Sequence, residues 1–130
     1  MRHLLIDTNV LIWSADNNLL HNVGKKAQKI IESSRVYIPS VSSVEIVIKN
    51  MTGKLKVVDI DSKQIALMNA EELPFTSNHA VTMNDFVSLT KHDQFDRMLL
   101  AQAKSEGMMF LTADKILLGL GLDFVVDASV

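Results

Sequence analysis

The stretch His3-Leu4-Leu5-Ile6-Asp7-Thr8-Asn9 decides how the chain is read. A short apolar run of strand character ends in an acid, and Val10-Leu11-Ile12-Trp13 continues at once with helical character. An acid at the carboxyl end of a strand sits where open parallel α/β sheets place their ligand sites. Further acids in comparable settings are Glu45, Asp93, Asp96 and Asp114. Asp7 is therefore read as the first member of a carboxylate cluster able to hold metal.

The 130 residues predict one domain, residues 1–130, and an apolar content of 48% is enough for a real core. Absence of Cys excludes disulfides and thiolate metal sites, and makes a reducing cytoplasm the expected home. No apolar run approaches the roughly 18 residues of a membrane span, and the N-terminal apolar run stops at Asp7, unlike a secretory leader. A net charge of −2 gives no sign of a general nucleic-acid binder. Lys25, Lys26 and Lys29 cluster, as do Lys49, Lys54 and Lys56; each group reads as a solvated face or as phosphate contacts.

Outward from Asp7, residues 9–16 read as a short helix and residues 22–34 as an amphipathic one with Ala27, Ile30 and Ile31 on its apolar face. Residues 36–39 form a short strand ended by Pro39. Ser40 or Ser42 caps a helix running to about residue 51, and Gly53 stops it. Residues 56–60 read as extended, and Asp61 or Ser62 caps a helix to about residue 72. A brief extended piece at 73–75 precedes helices at 78–89 and 95–106, the second closed by Gly107. Residues 108–112 and 124–126 are strands flanking a short helix at 113–120. Strands alternating with helices predict a single-domain α/β/α sandwich around a central parallel sheet.

Each acid has a plain structural explanation. Asp7 and Asp114 can cap the helices that follow them, and Asp93 and Asp96 can serve the first turn of theirs. Glu45, among Val44, Ile46, Val47 and Ile48, either faces water or has a buried partner. The combination carries more. Acids that follow different strands of a parallel sheet converge on one rim, where an ionised pair about 5 Å apart repels by roughly 3 kcal/mol at an effective dielectric near 20. Either some carboxyls protonate or a cation sits among them. An all-oxygen cage suits Mg²⁺ or Mn²⁺, and two such ions about 4 Å apart can bind the attacking and leaving oxygens of a phosphodiester.

Four segments in order, Ile6-Asp7-Thr8-Asn9, Ser42-Ser43-Val44-Glu45, His92-Asp93-Gln94-Phe95-Asp96-Arg97 and Leu111-Thr112-Ala113-Asp114, resemble those of the PIN-domain ribonucleases, nearest to the VapC-like bacterial toxins. The resemblance runs over nearly the whole chain. It implies that Asp7, Glu45, Asp96 and Asp114 form an acidic quartet holding divalent metal for RNA cleavage, with Asp93 assisting through water. It also implies that Thr8, Asn9, Ser42 and Thr112 line or orient the site, and that Arg97 balances acid charge or touches RNA. A small antitoxin partner and a homodimer are further implications. One departure is Gln94, where relatives carry a Pro that presets the turn.

His92 reads as a turn residue rather than a general base, Trp13 as a core or subunit contact rather than a base-stacking platform, and Met108-Met109 as strand core. Two rival functions stay open at this stage. One is a PIN-like domain that binds RNA or protein without cleaving. The other is a different Mg²⁺-dependent phosphoryl-transfer enzyme, such as a phosphatase, although a mid-helix Glu suits that chemistry poorly.

Overall fold

The strand that ends at Asp7 is the middle of the molecule. The computed structural model describes residues 1–16 and 19–130. In it, β1 (Arg2–Ile6) pairs in parallel with β2 (Ser34–Pro39) on one side and β4 (Met109–Thr112) on the other. β3 (Glu71–Leu73) adds to β2 and β5 (Val125–Asp127) adds to β4, so the five-stranded order is β3-β2-β1-β4-β5. All pairings are parallel, and the chain reverses its direction of travel across the sheet beside β1.

Leu4, Leu5 and Ile6 are almost fully buried because a central parallel strand is covered on both faces. Alternate residues face opposite sides. Leu4 and Ile6 pack with Val10, Leu11, Ile38, Ile46 and Leu111 on one side. Leu5 packs with Leu99, Leu100, Phe110 and Leu117 on the other. The helices α1 (Thr8–Ala15), α3 (Lys25–Glu32) and α5 (Ser62–Leu67) contribute to the first core. The helix α7 (Gln94–Glu106) and the 3₁₀ segment Met83–Leu89 contribute to the second. α4 (Ser40–Met51) sends Ile46 to one core and Val41 to the other. This is the expected α/β/α sandwich. Among the described residues no helix is long and apolar enough to cross a membrane.

Several local expectations give way to tertiary contacts. The helix expected over 22–34 is divided: α2 is Leu19–Asn22 and α3 starts at Lys25. Gly24 donates its N–H to Ala128 O, and a Cβ there would lie 2.2 Å from the Val130 backbone, so the chain must break step at this point. Neither Ser40 nor Ser42 caps α4. Ser40 Oγ accepts from Phe75 N and Ser42 Oγ bonds Thr8 Oγ1, while Pro39 occupies the cap position.

Residues 56–60 carry no strand, although Asn50 brackets Val57 through both its N–H and its carbonyl. The third strand is instead Glu71–Leu73, which takes the last two residues of the span expected to be helical and the first of the extended piece expected at 73–75. α5 ends at Leu67 because Asn69 turns left-handed at φ 59°. The helix expected over 78–89 becomes α6 (Ser77–Thr82) and the 3₁₀ segment, kinked at Phe86. α8 is only Lys115–Leu118.

Candidate metal centre

The site forms where β1 and β4 end side by side, because Asp7 N donates to Leu111 O at 3.0 Å. Asp7 divides its carboxylate. Oδ1 accepts from Thr8 N at 2.7 Å, capping α1, and Oδ2 accepts from Thr112 Oγ1 at 2.6 Å. The same Thr112 oxygen accepts from Asp114 N at 3.0 Å. One buried hydroxyl thus sets the positions of both strand-end acids. Asp114 caps α8 with a single oxygen, Oδ1, which accepts from Ile116 N and Leu117 N. The capping reading and the clustering reading of these acids hold together, since neither cap uses the whole carboxylate.

α4 brings Glu45 in from the β2 side. Apolar Val44, Val47 and Ile48 face outward, and Glu45 is only 4% exposed among Val41, Ser42 and Ile46 on the inner face. Thr8 Oγ1 donates to Glu45 Oε1 at 2.8 Å and lies 2.9 Å from Ser42 Oγ. Lys49, one helical turn on, places Nζ 2.7 Å from Glu45 Oε2.

α7 supplies the third wall. Asp93 caps it by accepting from Phe95 N at 2.8 Å, and Asp96 in its first turn faces inward. His92 Nε2 lies 3.0 Å from Asp96 Oδ2. Gln94 replaces the preset turn of a Pro with side-chain bonds of its own, donating to Thr90 O at 2.9 Å and His92 O at 3.2 Å.

The resulting cleft of about 140 Å³ is lined by Asp7, Thr8, Asn9, Glu45, Lys49, Asp93, Asp96 and Asp114. The quartet and Asp93 are therefore brought together, with Thr8 and Asn9 beside them. Ser42 and Thr112 stand behind the wall and act through Thr8, Asp7 and Asp114. Arg97 is the exception. Its Nε donates to Met83 O at 3.2 Å, so it ties α7 to the 3₁₀ segment and does not line the cleft.

The electrostatics follow from burial. Asp7 is pushed up to about 6, chiefly by desolvation; Thr112 and Thr8 lower it, and Glu45 and Asp114 raise it. Asp96 is pushed up to about 7 by desolvation first and by Asp7 second, with His92 lowering it and Asp93 and Asp114 raising it. Lys49 is held in its charged form above the ordinary lysine range, mainly by its bond to Glu45. Strong perturbation of two acids, Asp7 and Asp96, in one cleft is a mark of functional sites.

The donor set fits a hard divalent cation. His92, Asp96 and Asp114 each offer a ligand atom within 4.8 Å of the others, and Asp7 shares the cleft. Two residues here were not assigned to the site from sequence. Lys49 was detectable, because i and i+4 share a helix face and Glu45 was already suspected of a buried partner. His92, read as a turn residue, just precedes α7 and reaches Asp96 at the same i,i+4 spacing, a signal that the turn reading passed over.

A family model described as PIN domain matches residues 4–120, and the chain belongs to that family. No curated protein sequence matches it. Similar solved structures include a toxin–antitoxin complex from Klebsiella pneumoniae, at 18% identity and TM-score 0.63 over 95% of both chains. VapBC2 from Rickettsia felis, bound to a DNA fragment from its promoter, matches at 11% identity and TM-score 0.66 over 96% of this chain and 98% of that one. VapBC-1 from nontypeable Haemophilus influenzae matches at 17% identity and TM-score 0.66 over the whole of both chains. These likenesses establish a shared fold.

Proposed function

We propose that this chain is a divalent-metal-dependent endoribonuclease, the toxin half of a toxin–antitoxin pair, acting in the cytoplasm as a homodimer. The observation that carries the reading is the buried acid cleft at the carboxyl rim beside β1 and β4, where Asp7 and Asp96 are held near neutrality. Carboxyls forced together this way gain from a bound cation, and Mg²⁺ or Mn²⁺ suits their oxygens. The antitoxin partner is supported by family membership together with the toxin–antitoxin complexes that share the fold.

Asp7, Asp96 and Asp114 would hold the ion, with Glu45 completing the set and His92 within reach of Asp96. A bound Mg²⁺ or Mn²⁺ supplies Lewis acidity, acidifying the water that attacks phosphorus and offsetting charge on the departing oxygen. The chain's own groups provide the preorganisation. Thr8 N and Thr112 Oγ1 fix both oxygens of Asp7, and Thr8 Oγ1 with Lys49 fixes both oxygens of Glu45. His92, with its proton on Nε2, donates to Asp96 and stabilises its ionised form. Asp93, exposed at the rim with one oxygen committed to the α7 cap, is placed to orient water at the edge of the cleft.

The test is cleavage of labelled RNA with Mg²⁺ or Mn²⁺, with EDTA, and with Asp7→Asn or Asp96→Asn. EDTA and either substitution should abolish cutting. Equal cleavage by wild type and Asp96→Asn would refute the site. RNA binding without cleavage by a metal-loaded wild type would favour a non-catalytic domain, and stable labelling of Asp7 from acetyl phosphate would favour a phosphoryl-transfer enzyme.

A further inference from the structure

Lys49 is the single cation lining the cleft among the described residues, facing five carboxylates there. Its position is built. Val44, Val47 and Ile48 turn outward so that Glu45 and Lys49 share the inner face of α4, and Glu45 is itself clamped from behind by Thr8. Glu45 Oε2 takes one of the three donors of the ammonium. No other described residue bonds that ammonium, and the side chain is 35% exposed at the cleft's edge. A cation placed only to neutralise Glu45 would need no open face.

We propose that Lys49 is the residue of this chain that grips a backbone phosphate of the RNA at the mouth of the cleft, with Glu45 as the positioning residue that aims it. The inference rests on the reading of the cleft as an RNA-cleaving site and adds to it a substrate contact. An RNA strand entering a rim of carboxylates is repelled at long range, and a fixed ammonium at the mouth gives one phosphate a favourable seat. Because the contact is to phosphate, it serves all sequences alike. Two N–H donors remain for the phosphate oxygens while the third stays on Glu45.

The experiment is fluorescence anisotropy of labelled single-stranded RNAs of unrelated sequence across a salt series. Ca²⁺ replaces Mg²⁺, and the RNA is checked intact on a gel. Removing one phosphate contact should lower the slope of log Kd against log salt by about 0.7 and weaken binding about fivefold to tenfold, equally for every RNA. Lys49→Met should show this loss, and Lys49→Arg should stay within about twofold of wild type. Lys26→Met, in a hollow with Met1 and Arg2 away from the acid cleft, should keep the wild-type slope. Circular dichroism confirms folding, and Lys49→Gln replaces the Met variant if that one does not fold. An unchanged slope in the Lys49 variant, or the same loss in Lys26→Met, overturns the proposal while leaving the nuclease reading intact. A wild-type protein that neither binds nor cuts RNA overturns both.

Discussion

The turn after β1 and the turn after β4 are built to one plan, a strand, an Asp that caps, then a helix, yet they end in different chemical states. Asp7 is 5% exposed and has each oxygen held by a separate donor, Thr8 N and Thr112 Oγ1. Asp114 is half-buried and gives both cap bonds to Oδ1. The first is locked and desolvated, and its carboxyl is driven up to about 6. The second keeps one oxygen free to turn toward the cleft. A capping role therefore says little about whether an acid can also serve a metal; what counts is whether the oxygen that the cap leaves over is held as well.

The largest expected effect separates the two acids directly. In single-turnover RNA cleavage, Asp7→Asn should cost on the order of a thousandfold or more, since it removes a preorganised central charge. Asp114→Asn should cost about ten- to a hundredfold. Equal losses would mean that the difference in locking has no functional meaning. Thr112→Val attacks both turns at once, leaving Asp7 Oδ2 and Asp114 N without a buried partner. Urea unfolding should show a loss of about 2–4 kcal/mol, and Thr112→Ser should recover most of it. Unaltered stability in the Val variant would show that the shared hydroxyl holds neither acid.

The next effect is a pH dependence to which the locked turn contributes. Asp7 is raised from 3.8 to about 6 in the folded chain, so its stabilising contribution is complete below pH 3.8 and is lost as pH climbs through about 6. Between pH 5 and pH 8 Asp7 alone should forfeit about 1–2 kcal/mol in metal-free protein. Asp96, raised to about 7, adds in the same direction. The metal-free melting temperature should thus be higher at pH 5 than at pH 8, and the gap should close with saturating Mg²⁺ and narrow in Asp7→Asn, where Asp96 still contributes. A metal-free protein that melts higher at pH 8, with Asp7→Asn unchanged, would show that Asp7 is not strained. The smallest effect isolates the looser turn: Asp114→Ala should cost about 1 kcal/mol through the α8 cap, and Asp114→Ser about half that or less.

These two turns were legible in the sequence for a physical reason. An apolar run ending in Asp is a local pattern, and a parallel sheet brings such ends to one rim without further information. Glu45 was partly legible, since an acid inside an apolar helix demands a partner and Lys49 lies one turn on, although the Thr8 hydroxyl that holds its other oxygen comes from another element. Arg97 was not legible, because the Met83 carbonyl that holds it belongs to a 3₁₀ segment whose kink at Phe86 leaves no periodic trace. The edge strand Glu71–Leu73 was hidden for a related reason. Two glutamates read as helical, yet Glu71 meets Arg35 across the edge of the sheet and Glu72 accepts from Ser62 Oγ at 2.5 Å. Edge strands tolerate charge that central strands do not.

The hydrogen bond from Thr112 to Asp7 joins residues 105 positions apart. A chain emerging from the ribosome at about 5–20 residues per second makes Asp7 first and the hydroxyl that locks it on the order of ten seconds later. Until then the oldest acid of the cleft has neither its lock nor β4 beside it. A chain that stops short of Thr112 therefore lacks the donor that holds Asp7 Oδ2, the strand that flanks β1 and the Asp114 that completes the cleft.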